Sequence, residues 1–237
     1  MKFPEIRSVS EDVITIRFGD KIDPRVNDQV IAFHQFLQQK KFTGYLESVP
    51  SYHTLAVYYS PYAIARISPY RQNTIAEIVK AEIKALLDEC GENTRLREKE
   101  TVIPVCYDPG FAPDLEFVAR HCGISTSEVV KLHSAAIYRV YFIGFIPGFP
   151  YLGINPDLLQ VPRKKVPDFS VPAGSVALAG MQSGIYPYQT PGGWQIIGRT
   201  PLHMFDKNSE TRSLLTPGQT VRFRAISLSE FNKISGE

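Results

Sequence analysis

Ile14, Ile16 and Phe18 alternate with Thr15 and Arg17, the two-residue period of a half-buried strand. Asp23-Pro24 then supplies an N-cap followed by proline at the first helical position. Val26, Val30, Phe33 and Leu37 follow at spacings of four, three and four, one face of a helix. Gly44 to Val49 and Thr54 to Tyr59 read as two strands joined at Pro50-Ser51. A second helix opens at Thr74, with Glu77 completing a capping box, and runs to a C-cap at Gly91. With a strand at Thr101 to Tyr107 the order becomes β-α-β-β-α-β, a ferredoxin-like pattern. Glu92 to Glu100 is almost wholly polar, and a domain boundary there divides the chain into residues 1–95 and 96–237.

The texture changes after Tyr141. Residues 141–224 hold ten of the sixteen glycines and ten of the eighteen prolines. Between them lie short apolar runs such as Val176 to Ala179, Gln195 to Ile197 and Val221 to Phe223. Many short strands with frequent turns predict an antiparallel barrel or sandwich. Ahead of that region, residues 114–134 fit a pair of short helices, with Ser125 and Glu128 capping the second. The pair resembles a helix-turn-helix in spacing. Its formal charge of −1 removes the phosphate attraction a DNA reader needs, so a structural helix pair is expected.

The whole-chain net charge of +2 likewise predicts no nucleic-acid partner and no membrane surface. Cys90, Cys106 and Cys122 stand sixteen residues apart with no paired spacing, so free thiols and no metal site are expected. No secretory leader and no membrane-length apolar run is present, and the chain reads as cytoplasmic. P-loop, G-x-G-x-x-G and G-x-S-x-G motifs are all missing. A nucleotide, if handled, needs another geometry or a shared site.

Five ordered segments carry more information. They are Gly144-Phe-Ile-Pro-Gly-Phe-Pro-Tyr-Leu152, Val171-Pro-Ala-Gly-Ser-Val176, Ala179-Gly-Met-Gln-Ser-Gly-Ile-Tyr-Pro187, Thr190-Pro-Gly-Gly-Trp-Gln-Ile-Ile-Gly-Arg-Thr-Pro201 and Leu215-Thr-Pro-Gly-Gln-Thr-Val-Arg-Phe223. In sequence and order they resemble the family variously called KipI, allophanate hydrolase subunit 1 and the B-type 5-oxoprolinase subunit. The resemblance implies an α+β chain: a ferredoxin-like α/β N-terminal domain, then a cyclophilin-like antiparallel β-barrel. It also implies a KipA-like partner and a LamB/YcsF-like partner, with 5-oxoproline opened to glutamate at the expense of ATP and its Mg²⁺. Such a subunit is expected to be inactive alone. Two alternatives come with the family: inhibition of a sporulation histidine kinase, and a part in biotin-dependent urea or allophanate metabolism. One departure stands out. The family's second Pro-Arg pair is Pro167-Asp168 here, leaving Lys164 and Lys165 as substitutes.

Opening a lactam by phosphorylation would need cations and main-chain N–H groups aimed at developing negative charge. Arg199 and Arg163 are the candidate cations, with surface ion pairs as their plain alternative. The turns at Gly192-Gly193 and Gly174-Ser175 are candidate main-chain donors. Gln182, Tyr186 and Trp194 are placed either as hydrogen-bonding groups for a small amide or in structural roles. His133 is either a general acid-base or a buried, satisfied histidine. Phe145, Pro147, Phe149 and Tyr151 are placed in a pocket lining or a patch for the partner barrel, with core packing as the plain alternative.

Overall fold

The computed structural model describes residues 4–67, 73–91 and 100–236. The chain divides into two compact units, Met1–Arg97 and Glu98–Glu237. Most of the charged stretch at which the sequence sets a boundary, residues 92–99, lies outside the described residues.

The first unit runs β1 (Glu5–Ser8), β2 (Val13–Arg17), α1 (Pro24–Gln39), β3 (Tyr45–Pro50), β4 (Thr54–Tyr59), α2 (Pro61–Ile67) and α3 (Ile75–Cys90). Its sheet has the order β1-β2-β4-β3, antiparallel throughout. Ile14, Ile16, Leu55, Val57 and Tyr59 point to one face, as a two-residue period requires. They are buried with Val30, Phe33 and Leu37 of α1 and Val79, Ile83 and Leu86 of α3. Both helix starts form as their caps predict. The Asp23 carboxylate accepts from the Arg25 N–H at 2.7 Å, and Thr74 and Glu77 bond reciprocally.

One expected strand moves. Residues 101–107 do not complete this sheet; they form most of β5 in the second unit, and β1 takes the place beside β2. A tight local hairpin fills that edge first, while Ile103 and Val105 are buried in the other core. The short helix α2 is an addition. It has Pro61 at its start and the Ser60 hydroxyl accepting from the Ala63 N–H.

The second unit runs β5 (Glu100–Cys106), α4 (Leu115–Cys122), α5 (Thr126–Ala135), β6 (Ile137–Ile143), β7 (Pro150–Gly153), β8 (Asp168–Val171), β9 (Ser175–Ala179), β10 (Gln182–Ile185), β11 (Thr190–Gly192), β12 (Gln195–Arg199), β13 (Thr220–Ile226) and α6 (Leu228–Ser235). Seven strands close a barrel in the order β10-β7-β6-β13-β5-β12-β9, and β8 and β11 form a separate ribbon. The predicted barrel is therefore present. Its ladders are antiparallel except β5 with β13, which run parallel in seven-residue register. The expected helix pair is present. Leu115, Val118, Ala119 and Val129 share one buried cluster with the barrel interior.

The barrel wall is apolar on both faces at one place. Val176, Leu178 and Ile197 belong to the interior core. Their neighbours Ala177, Ala179 and Ile196 point the other way, into a second cluster with Phe149, Tyr186 and Trp194. That outer cluster floors the site described next.

Candidate functional site

Phe149 is the keystone of the outer cluster. It is 2% exposed and meets Tyr151, Tyr186 and Trp194 edge-to-face at centroid distances of 5.0, 5.2 and 5.5 Å. Above these rings opens a cleft of about 420 Å³, lined by Phe145, Tyr151, Arg163, Lys164, Tyr186 and Trp194, with Phe149, Pro167, Pro191, Gly192 and Gly193. Phe145 stands at its mouth, 65% exposed and with φ of 68°, a left-handed conformation unfavourable for a phenylalanine. At the floor, burial pushes the Tyr186 phenol up to about 12, opposed in part by a hydrogen bond from the Trp194 main chain and by Arg163. Tyr186 therefore keeps its proton near neutrality. Gly192 is required for close approach: a Cβ there would lie 2.3 Å from the Tyr186 hydroxyl.

The cations at the cleft differ sharply. The Arg163 guanidinium lies 5.6 Å from the Trp194 ring centre. The Lys164 ammonium sits between Asp114 at 2.6 Å and Asp168 at 2.5 Å. Burial alone would lower its pKa, but hydrogen bonds and charge from both carboxylates outweigh that and raise it. Asp114 also accepts from the Ile196 N–H at 2.7 Å, and the Lys164 N–H donates to the Gly193 carbonyl at 2.7 Å. The loop from Pro162 to Pro167 is thus tied to β12 by side chain and main chain together.

Of the residues singled out in the sequence, Arg163, Tyr186, Gly193, Trp194, Phe145, Phe149 and Tyr151 converge on this cleft. Others do not. Arg199 ends β12 with its guanidinium 4.8 Å from the Phe111 ring centre, and it does not line the cleft. His133 takes the buried, hydrogen-bonded alternative and lies away from the cleft. It is fully buried in the barrel core, stacked on Phe223 at 4.3 Å and hydrogen-bonded to the Tyr107 hydroxyl at 2.7 Å. Burial lowers its pKa to about 3, so it stays neutral, and no substrate can reach it.

Gly174 and Ser175 spend their main-chain donors inside the fold, on the carbonyls of Tyr186 and Pro172. Gln182 begins β10, where its carbonyl accepts from the Asn155 amide at 2.7 Å, and its side chain is not at the cleft. Pro147 is exposed and outside the lining, whereas Phe149 is too deeply buried for a partner to touch. Lys164, noted in the sequence only as a stand-in for a missing arginine, turns out to be paired. Asp168, the departure from the family pattern, is one of its two partners. Pro167, Pro191 and Gly192 complete the lining.

No helix among the described residues is long and apolar enough to cross a membrane. The family described as "Carboxyltransferase domain, subdomain C and D" matches residues 4–215. A Bacillus subtilis protein, named as the B-type 5-oxoprolinase subunit, is 38% identical over 98% of this chain and 97% of its own length. An Escherichia coli protein of the same name is 54% identical over 51% of this chain and 56% of its own. The crystal structure of TTHA0988 superposes with a TM-score of 0.77 at 34% identity, covering 94% of this chain and 40% of that one. By sequence along nearly its whole length and by fold, the chain belongs to the family of B-type 5-oxoprolinase subunits, built on carboxyltransferase-type domains.

Proposed function

We propose that this chain is the B-type subunit of an ATP-dependent 5-oxoprolinase, acting with KipA-like and LamB/YcsF-like subunits, and that its outer-wall cleft receives 5-oxoproline. The observation that supports this most is the pairing of Arg163 with Tyr186 in an aromatic cleft. 5-Oxoproline is a flat five-membered lactam bearing one carboxylate. A guanidinium suits the carboxylate. The Tyr186 hydroxyl, which retains its proton, donates to the lactam carbonyl, and Trp194 and Tyr151 cover the ring. As a nucleophile adds to that carbonyl, before the C–N bond breaks, charge builds on its oxygen and the Tyr186 hydrogen bond strengthens.

ATP supplies the driving force for an uphill lactam opening. The cleft's residues do not fit a magnesium nucleotide. The Gly174 and Ser175 donors are spent internally, and Lys164 is held between two carboxylates. ATP binds elsewhere in the complex in this reading. The exposed Phe145 and Pro147, with Phe169 at 92% exposure on the β8–β11 ribbon, form the partner surface in this reading.

Reconstitution tests it. The purified chain is mixed with both partner subunits, and glutamate release from 5-oxoproline is followed with and without ATP. Turnover that needs ATP and all three chains, and that falls about 10²-fold in Tyr186→Phe, is the expected result. A complex that assembles but releases no glutamate would overturn the reading.

A further inference from the structure

Four charged side chains stand at or just behind the cleft: Arg163, Lys164, Asp114 and Asp168. Lys164 is enclosed, its side chain 15% exposed, and each of its two carboxylate partners bonds it directly. Among the described residues no carboxylate lies within ion-pair distance of Arg163, whose close contact is the face of Trp194. Lys164 and its two carboxylates carry one net negative charge, so the four charges sum to zero, and Arg163 is the one of the four outside these ion pairs. Gly174 and Ser175 add no main-chain donor to it, since both are bonded elsewhere, and the Trp194 main chain bonds Tyr186. A polyphosphate needs several cations or donors converging on it. This cleft offers one fork.

The geometry points to a cleft that selects small, flat, singly charged carboxylates and rejects polyphosphates, with Arg163 as the anion ligand and Lys164 as a positioning residue. Lys164 acts through its neighbour. Its ammonium bonds Asp114, its N–H bonds Gly193, and Asp114 bonds Ile196, so the loop cannot lift and Arg163 stays over Trp194. Asp168 sets the selectivity, because it removes the second positive charge a phosphate chain would use. This rests on the proposed function for the choice of carboxylate, and it extends that reading by excluding the nucleotide from the same cleft.

Trp194 is the chain's single tryptophan, so intrinsic fluorescence reports on the cleft alone. The full-length chain is titrated with 5-oxoproline, with its neutral carboxamide and with inorganic tripolyphosphate. A saturable change is expected with 5-oxoproline, about tenfold weaker binding with the carboxamide, and neither signal nor competition from tripolyphosphate. Arg163→Gln should lose the preference for the carboxylate over the carboxamide. Asp168→Asn should admit tripolyphosphate, raising its affinity about tenfold or more, while melting like wild type. The idea is overturned if 5-oxoproline gives no saturable change. It is also overturned if tripolyphosphate competes in the wild type, or if Asp168→Asn leaves its exclusion intact. Glutamate release by the reconstituted complex is scored separately. Turnover with a polyphosphate-binding cleft defeats this inference and spares the proposed function, and a selective cleft without turnover does the reverse.

Discussion

Phe145 and Phe149 are four residues apart in one loop, and truncating them should have opposite consequences. Phe149 is 2% exposed and touches four other rings. Removing a buried phenylalanine side chain costs about 3–5 kcal/mol, the lost transfer energy plus a cavity. A unit of this size loses about 3 °C in melting temperature per kcal/mol, so Phe149→Ala should melt roughly 9–15 °C lower. Phe145 is 65% exposed with φ of 68°. Its left-handed backbone costs about 1–3 kcal/mol, and its one ring contact, with Phe149 at 5.8 Å, returns about 1 kcal/mol. Phe145→Gly relieves the first and forfeits the second, so the melting temperature should hold or rise by a few degrees. Near-ultraviolet circular dichroism during thermal melting reads both, and co-purification with the proposed KipA-like partner reads the surface. Phe145→Gly should weaken that complex while the fold stays intact. The reasoning fails if Phe149→Ala melts within about 3 °C of wild type, or if Phe145→Gly melts more than about 5 °C lower.

Three further outcomes can be checked. Gly192→Ala drives a methyl group into the Tyr186 hydroxyl, which should cost about 1–3 kcal/mol in urea unfolding and abolish the Trp194 fluorescence response to 5-oxoproline; an unchanged response would remove Tyr186 from the site. His133 is neutral in the fold, with a pKa of about 3, but protonates below about 6.5 when unfolded. The stability it contributes is whole above that pH and is lost toward pH 3 by about 1.4 kcal/mol per pH unit; urea midpoints for His133→Phe should slope less steeply, and parallel slopes would contradict the assignment. Arg199→Ala should lose about 1 kcal/mol of stability with its Phe111 contact and leave 5-oxoproline binding by fluorescence unaltered; a tenfold weaker affinity would return Arg199 to the site.

Local signals in the sequence translated well. Asp23-Pro24, Thr74 with Glu77, and the alternation through Ile14 and Ile16 each act within a few residues, and each formed as read. The barrel was legible from its glycine and proline punctuation and from the five family segments. The partner of β5 was not, because a strand's alternation states which residues face a core and not which sheet supplies the neighbour. Site residues divide the same way. Tyr186 and Trp194 sit in neighbouring family segments and were read together, while the fate of Lys164 depends on Asp114, fifty residues away. His133 and Arg199 look reactive in a string of letters. Only the packing of Phe223 against one and Phe111 against the other decides what they do.

The parallel pairing of β5 with β13 also sets a schedule for the growing chain. The first unit's sheet and helices are complete by Cys90, and none of its strands awaits a later one. The barrel has no such freedom. Glu100 finds Thr220, and Cys106 finds Ile226, only after more than a hundred intervening residues have been made. At about 5–20 residues per second that interval is roughly 6–24 s. Throughout it, Ile103 and Val105 belong to a strand whose longest ladder does not yet exist, and long-range pairing of this kind is slow to form. The newborn second unit is therefore most exposed to misassociation on the ribosome. A chaperone or an early-arriving partner chain would act there, on β5 and the open wall, well before the cleft has any shape.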